Sequence, residues 1–589
     1  MKEKQVKRLF DILSYQQDNY GAKNVLAAKR NGVWSGVSTK EYIQKADLLA
    51  LALLNFGLKK EDKVGIIVQT NRPEWHIVDM AVQQIGAILV PIYATISKED
   101  YLHIFKQAEI KLCIVSDGEL YQKIRDIKPN LPDLQEILTF EPFEDVILWS
   151  DFLENGKKTD PKILEACKKN VQEDDVATII YTSGTTGLPK GVMLTHKNIL
   201  NNVKIIQHRV PKVPKGSGIA LSFLPICHIY ERTLTYMYQY LGMTIYFAES
   251  LEKISDNAKE VHPHFFTTVP RVVEKVYDKI LAKASTLEGL QRKIFFWALK
   301  LAENYQVEGN SLTYRLQLAL ARKLVFKKWQ EALGGNIKAL VSGSAGLSVH
   351  LMRVFWAAGI PILEGYGLTE TSPVIAVNSF EHLRFGSVGK VLENVEVRIA
   401  PDGEILTKSD CVMKGYYKNP EKTAEVFDQE GFFYTGDIGK LEDGYLTITD
   451  RKKEMFKTSG GKYIAPQVME NSFKKSPFIE QIMIVGEGQK FPAALIVPQL
   501  EVLKPWVEKK GLVIDNIENL LKNSIVLQKM QEEVDKINEH FGQWEKIKKF
   551  VLLSEAFSQE NGLLTPTLKL KRKIITEKYL TLIQELYKN

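Results

Sequence analysis

Between residues 181 and 196 the chain reads YTSGTTGLPKGVMLTH: hydroxyls from Thr182, Ser183, Thr185 and Thr186, glycines at Gly184, Gly187 and Gly191, and the ammonium of Lys190. Glycines let backbone N–H groups converge on an anion, and the hydroxyls and lysine add donors and charge, so the composition suits a phosphate cradle. It is not the Walker loop, because Gly184, Gly187 and Lys190 fall at intervals of three. A Gly/Thr turn is the ordinary alternative for such a cluster standing alone. In EGYGLTET (364–371), Gly365 and Gly367 flank Tyr366, whose ring can then lie against a flat heterocycle, while Glu370 beside Thr369 offers hard oxygen ligands. In YTGDIG (434–439), Asp437 can accept two hydrogen bonds from a vicinal diol. Read singly, each of these is a turn residue. The HPH at 262–264 lacks a carboxylate or cysteine partner nearby and reads as structural.

The elements that must hold these groups follow from periodicity. From about 40 to 250, helical patterns alternate with β-branched runs (KVGIIVQT, AILVPIY, KLCIVSD), the signature of parallel βαβ units in doubly wound sheets. DVATIIY predicts a strand and NILNNVKII a helix with Ile199, Leu200, Val203 and Ile206 on one face, placing the 181–196 loop in a strand-to-helix connection. Short runs with D-G turns from 386 to 450 read as a small antiparallel β subdomain, and an α+β pattern resumes after about 450. The expected fold is therefore α/β: a large N-terminal domain (1–449), a connection at 450–455, and a small α+β C-terminal domain (456–589).

Composition narrows the function. Four scattered cysteines without C-x-x-C spacing fit a reducing, cytoplasmic compartment and exclude a disulfide framework. No signal peptide and no apolar run of membrane-spanning length is visible. The net charge is +7, and the stretch 291–330 alone carries +6. Phe295, Phe296, Trp297, Phe326 and Trp329 lie among those basic residues. An amphipathic helical pair of this kind either lies on an anionic membrane face through its aromatics or turns them into the core. No nucleic-acid recognition motif accompanies the charge.

The whole string at 181–196 closely resembles the signature loop of the adenylate-forming (AMP-binding) enzymes, the superfamily of acyl-CoA synthetases, peptide adenylation domains and firefly luciferase. EGYGLTET, YTGDIG, DRKKEMFKTSGGKYIAP (450–466) and TPTLKLKR (565–572) resemble further motifs of that superfamily, in its order. VPRVVEKVYDKI, LPICHIYERT and TPTLKLKR are similar to the long-chain fatty acyl-CoA synthetases within it. The resemblance implies MgATP-dependent formation of an acyl-AMP from a long-chain fatty acid, then transfer to CoA. It also implies roles for named residues. Thr182, Ser183, Gly184, Thr185, Thr186, Gly187 and Lys190 would hold phosphates. Gly343, Ser344, Ala345, Glu364, Gly365, Tyr366, Gly367 and Thr369 would line the AMP pocket. Glu370 with Thr369 would ligate Mg²⁺, Asp437 would hold the ribose, and Arg451 would be a second contact to ribose or phosphate. His228 would sit near the acyl carboxylate, Lys569 would bridge carboxylate and α-phosphate, Asp450 would be the hinge, and Gly460 and Gly461 would approach CoA. Leu568 stands where the superfamily more often has glycine. An acyl-carrier-protein or acyl-AMP ligase is the neighbouring expectation, and a noncatalytic nucleotide or lipid scaffold the remote one.

Overall fold

Lys190–Thr195 forms a strand, and this is where the fold departs from the pattern read above. It pairs antiparallel with Val176–Thr182, Thr182 facing Lys190 in register, so the next described element after Thr182 is a second strand and not a helix. The alternation explains it: Val192 and Leu194 are buried while Met193 between them is half-buried. The helix begins one element later, at His196–Ile206, under a capping box made by Thr195 and Asn198, and Ile199, Leu200, Val203 and Ile206 are its buried face as expected.

The structure is a computed structural model that describes residues 6–144, 146–182, 188–213, 216–452, 454–511, 516–565 and 568–588. Among these residues the hairpin belongs to a seven-stranded sheet whose neighbours Ile88–Tyr93, Lys63–Val68, Ile110–Val115 and Glu136–Thr139 all run parallel. A second sheet of thirteen strands has a parallel centre that includes Ile219–Ser222, Phe265–Thr268, Ala339–Ser342 and Ile362–Gly367. The expected antiparallel subdomain is not a separate sheet. The chain reverses after Pro373, Val374–Val377 pairs antiparallel with Ile362–Gly367, and the strands 390–451 extend the same sheet from there. D-G turns reveal hairpins, but only long-range register joins them to a parallel neighbour.

The helix Ile229–Tyr240 is buried on every side from Ile229 to Gln239. Its charges are paired accordingly. Arg232, wholly buried, binds the equally buried Asp79 of the helix Pro73–Gln84 and donates to Thr178 Oγ1 of the first sheet at 2.7 Å. Burial works against the guanidinium charge, and Asp79 and Tyr236 together more than restore it. Glu231 accepts from Ser222 Oγ at 2.6 Å and from Thr267 Oγ1, and burial pushes its carboxyl up to about 7. This network ties both sheets to one helix, whose N-cap is His228.

Residues after 455 build their own small sheets, Phe456–Lys457 with Tyr463–Ile464, and Ile479–Val485 with Ala493–Pro498 and Lys549–Leu552. They dock on the rest through Arg271, which donates to Glu480 Oε1 at 2.6 Å, and through Gln499 Nε2, 3.2 Å from Asp278 Oδ2. Leu568 packs against both the large core and the C-terminal core.

The basic stretch folds as Gly289–Glu303 and Leu312–Ala321, the latter continuing through a π-helical turn into Lys327–Ala332. Its aromatics do not form an outward face: Phe295, Phe326 and Trp329 are buried, and Phe296 is the most exposed of the set at 40 %. Instead Leu312, Leu316, Leu320 and Leu324, spaced every fourth residue, stand 74, 66, 50 and 47 % exposed. Large rings filled the gap against Phe355, and the smaller aliphatic side chains were left outside. Among the described residues no helix is long and apolar enough to cross a membrane.

Candidate active site

Four distant segments meet at the C-terminal end of the strand Ile362–Gly367. Tyr366 on that strand donates its hydroxyl to Asp437 Oδ2 at 2.7 Å, and Arg451 Nε lies 3.2 Å from Asp437 Oδ1. The strands Phe433–Glu442 and Tyr445–Arg451 are paired with Asp437 opposite Arg451, so the sheet itself brings these two together. Asp437 is 3 % exposed and already bonded, yet a carboxylate has about four lone-pair positions, which leaves room for a diol. Gly367 is required by its surroundings, since a Cβ there would lie 1.7 Å from the Pro373 carbonyl oxygen.

Glu370 follows on a short 3-10 turn and accepts from Tyr416 Oη at 3.0 Å. Burial raises its carboxyl above the usual range, and Tyr416 partly offsets this. Lys190 Nζ lies 5.1 Å from the centre of the same Tyr416 ring, so one tyrosine spans the hairpin lysine and the candidate metal carboxylate. Sequence reading missed Tyr416. Its only signal is a register, Tyr416 opposite Val192, that forms when 415–416 joins the edge of the first sheet. Thr369 is buried beside Glu370. A single carboxylate suits Mg²⁺, which keeps waters and shares substrate phosphate oxygens; among the described residues no cluster of three or more His, Cys, Asp or Glu could hold a metal without substrate.

Lys569 reaches this cluster from the C-terminal segment. Burial and the Arg451 charge lower its ammonium to about 8, against the pull of Asp437, Glu454 and Glu370. Its loop is anchored by Arg572, which donates to Glu454 Oε2 at 3.0 Å and to Glu470 Oε2 at 2.6 Å. Leu568 before it has φ +61°, the left-handed region, which accounts physically for glycine being the usual residue there. If the lysine acts as a cation, kcat/KM for adenylation should fall as pH rises through about 8, because the charged form is lost above its pKa. Lys569→Arg, whose charge persists, should remove that descending limb; an unchanged limb would assign it to another group.

His228 lies nearby, its imidazole lowered to about 3 by burial and by the Lys569 charge, so it is neutral at physiological pH. Its Nδ1 accepts from Tyr230 N at 3.2 Å, which leaves the proton on Nε2. The side chain is thus a hydrogen-bond donor, not a base. It lines a small cavity of ≈ 50 Å³ together with Tyr230, Gly343, Ser344, Tyr366 and Gly367. Beyond them the wall is apolar, built by Ile206, Leu234, Met237, Val341, Val374 and Val377.

Other candidates fall differently. Thr182 is half-buried at the hairpin base, and Ser183, Gly184, Thr185, Thr186 and Gly187 lie outside the described residues. Glu364 is buried and accepts from Leu347 N at 2.8 Å, with its carboxyl pushed up to about 8 by burial. It therefore fastens the 343–347 loop to the sheet. In that loop Gly343 packs on the Tyr230 ring, Ser344 takes φ +69°, and Ala345 is exposed. Gly365 is hemmed in by Val377. Gly460 and Gly461 are exposed in a tight turn closed by Gly461 N to Thr458 O at 2.9 Å. Asp450 is 1 % exposed; its Oδ1 accepts from Arg451 N at 2.6 Å, its Oδ2 has no partner among the described residues, and burial pushes the carboxyl up to about 7.

A family model for AMP-binding enzymes matches residues 15–417, and one for the AMP-binding enzyme C-terminal domain matches 454–589. The chain belongs to the AMP-binding enzyme family. It is 34 % identical over 563 residues to the long-chain-fatty-acid–CoA ligase FadD15 of Mycobacterium bovis, covering 95 % of this chain and 93 % of that protein. It is 33 % identical to the long-chain-fatty-acid–CoA ligase 5 of Rattus norvegicus, covering 95 % and 85 %. The fold is shared with the anthranilate CoA ligase AuaEII solved in complex with anthranoyl-AMP, at a TM-score of 0.74 and 19 % identity, covering 98 % of each chain. Membership in the AMP-binding family agrees with the motif order read from the sequence.

Proposed function

We propose that this AMP-binding enzyme is an AMP-forming ligase that joins a long-chain fatty acid to CoA, as its relatives' names state for them. The observation that carries the reading is the convergence of Lys569, Arg451, Asp437 and Glu370 beside an apolar cavity. A carboxylate is a poor acylating agent, because its charge repels nucleophiles and its leaving group would be oxide. One carboxylate oxygen attacks the α-phosphorus of ATP and the bond to pyrophosphate breaks, giving acyl-AMP; a CoA thiol then displaces AMP. Both steps build negative charge on oxygen, where fixed cations and donors act most strongly. Lys569 would hold the carboxylate against the α-phosphate, His228 Nε2–H would orient the acyl oxygen, and Asp437 and Arg451 would seat the ribose. Lys190, Thr182 and the loop 183–187 would hold the phosphate tail. Glu370 with Thr369 would hold Mg²⁺, which supplies neutralising charge to the phosphates.

The segment 450–455 would be the hinge between domains 1–449 and 456–589, swinging Lys569 away and Gly460 and Gly461 inward for the thioester step. AMP release measured with ATP, CoA and acids from acetate to oleate tests the whole reading. Turnover should rise steeply with chain length, and AMP release that ignored chain length or CoA would overturn it.

The leucine row at 312–324, flanked by Lys323, Lys327 and Lys328, would rest on an anionic membrane face at the cytoplasmic side. Flotation with anionic vesicles should carry the protein up at low salt, and Leu316→Ser with Leu320→Ser should abolish this. Equal flotation of that variant would assign binding to another surface.

A further inference from the structure

Arg271, Glu274 and Asp278 are spaced three and four apart on the helix Pro270–Ser285, so they share one face, and that face meets the C-terminal lobe. Arg271 holds Glu480 twice: Nη2 donates to Oε1 at 2.6 Å and Nη1 to the backbone carbonyl at 3.2 Å. The Arg271 side chain is 12 % exposed and that of Glu480 24 %, so the pair is largely withdrawn from water. Lys474 Nζ lies 3.7 Å from Glu274 Oε1, and Gln499 Nε2 donates to Asp278 Oδ2 at 3.2 Å. Both ends of this clasp are built into regular elements. Arg271 stands in the first turn of the helix that follows the strand Phe265–Thr268, whose last carbonyl accepts from Gly343 N at the cavity wall. Glu480 lies on the strand Ile479–Val485, where Ile484 N donates to Glu470 Oε1 at 2.8 Å. Glu470 Oε2 in turn holds Arg572, three residues after Lys569.

We propose that Arg271 is a positioning residue for acid activation: by gripping Glu480 it sets the docked register in which Lys569 meets Arg451, Asp437 and Glu370, and Asp278 on the same helix face works against it. The inference rests on the acyl-activating function proposed above. A charged pair across an interface fixes register, and the bonds from Glu480 through Ile484 and Glu470 to Arg572 carry that register to the Lys569 loop. The opposition comes from charge balance. Among the described residues, the carboxylates of Glu274, Asp278, Glu480 and Glu501 meet the two cations Arg271 and Lys474 here. Burial, with Glu274, Glu480 and Glu501 adding to it against the pull of Arg271, pushes the Asp278 carboxyl up to about 6. At neutral pH the docked lobe therefore keeps a charged carboxylate where its surroundings disfavour the charge. The grip selects the docked position, and the excess of negative charge helps it to open.

The test follows two half-reactions separately in the full chain: pyrophosphate release from ATP and palmitate, and thioester formation from supplied palmitoyl-AMP and CoA. Arg271→Glu and Glu480→Arg, each alone, should slow pyrophosphate release by roughly tenfold or more, the worth of a charge-assisted hydrogen bond. Both should leave thioester formation as fast or faster, which also shows that the variants fold. The double variant restores the pair with its polarity reversed and should recover most of the release rate. Asp278→Asn keeps an oxygen for Gln499 and removes the charge, so it should act the other way, with release kept or quickened and thioester formation slowed. Release unchanged in the single variants, equal loss of both half-reactions, or a double variant no better than the single ones would overturn the role of Arg271 and leave the ligase reading intact. Slower release in Asp278→Asn would overturn the opposing role of Asp278. Failure of the unaltered enzyme to release pyrophosphate with any acid from acetate to oleate would instead overturn the ligase reading.

Discussion

Lys569→Ala should stop pyrophosphate release from ATP and a fatty acid while the variant still converts supplied acyl-AMP and CoA to thioester. Losing one fixed cation aimed at developing oxyanion charge costs roughly 10²–10³ in rate. Lys569 is the group that the C-terminal segment brings to Arg451, Asp437 and Glu370, so the loss belongs to the step that uses this docked arrangement. The second step has to admit a thiol where that ammonium stands, so the lysine cannot serve both from one position. Measuring the two half-reactions separately checks this. Equal loss of both would remove the two-position account, and survival of both would move the catalytic cation elsewhere, with Lys190 the next candidate.

Arg232→Met should destabilise the N-terminal domain by about 3–5 kcal/mol, the usual result of stranding one member of a buried pair. Asp79 would remain fully buried with, among the described residues, the Tyr236 and Gln83 side chains to donate to it. The guanidinium also ends a bridge to Thr178 on the opposite sheet, so the variant loosens the helix whose first turn carries His228. Denaturant melting should show a lower midpoint for the larger domain. Replacing Asp79 with Leu in the same protein should recover most of the loss, because two apolar groups leave no charge uncompensated. Failure of the double variant to recover would indicate that the hydrogen bonds to Thr178 and Tyr236, rather than the ion pair, hold the helix.

What could be read beforehand was what is local. The helix His196–Ile206 announces itself by apolar side chains at helical spacing, and the strands Lys63–Val68 and Ile88–Tyr93 by short β-branched runs. Motif order named Asp437, Arg451 and Lys569 together although more than a hundred residues separate the last two. What escaped depends on register and packing. Nothing in KGVMLT distinguishes a hairpin return from a helix approach until its partner strand is known. Phe295 and Trp329 turn inward because Phe355 leaves a space their rings fill, a fact written on a different helix. Tyr416 gains its place from a neighbour, Glu370, that periodicity cannot bring near it.

Leu568 adds a dynamic consequence. Its contact with both cores favours docking by an amount of the order of 1 kcal/mol for a half-buried aliphatic side chain. The left-handed backbone it must adopt costs about the same. That cost is local, because Leu568 N donates to Thr565 O within the same loop. Arg271 with Glu480 and Gln499 with Asp278 add polar contacts to the docked lobe, so a swing that withdraws Lys569 has to undo several contacts together.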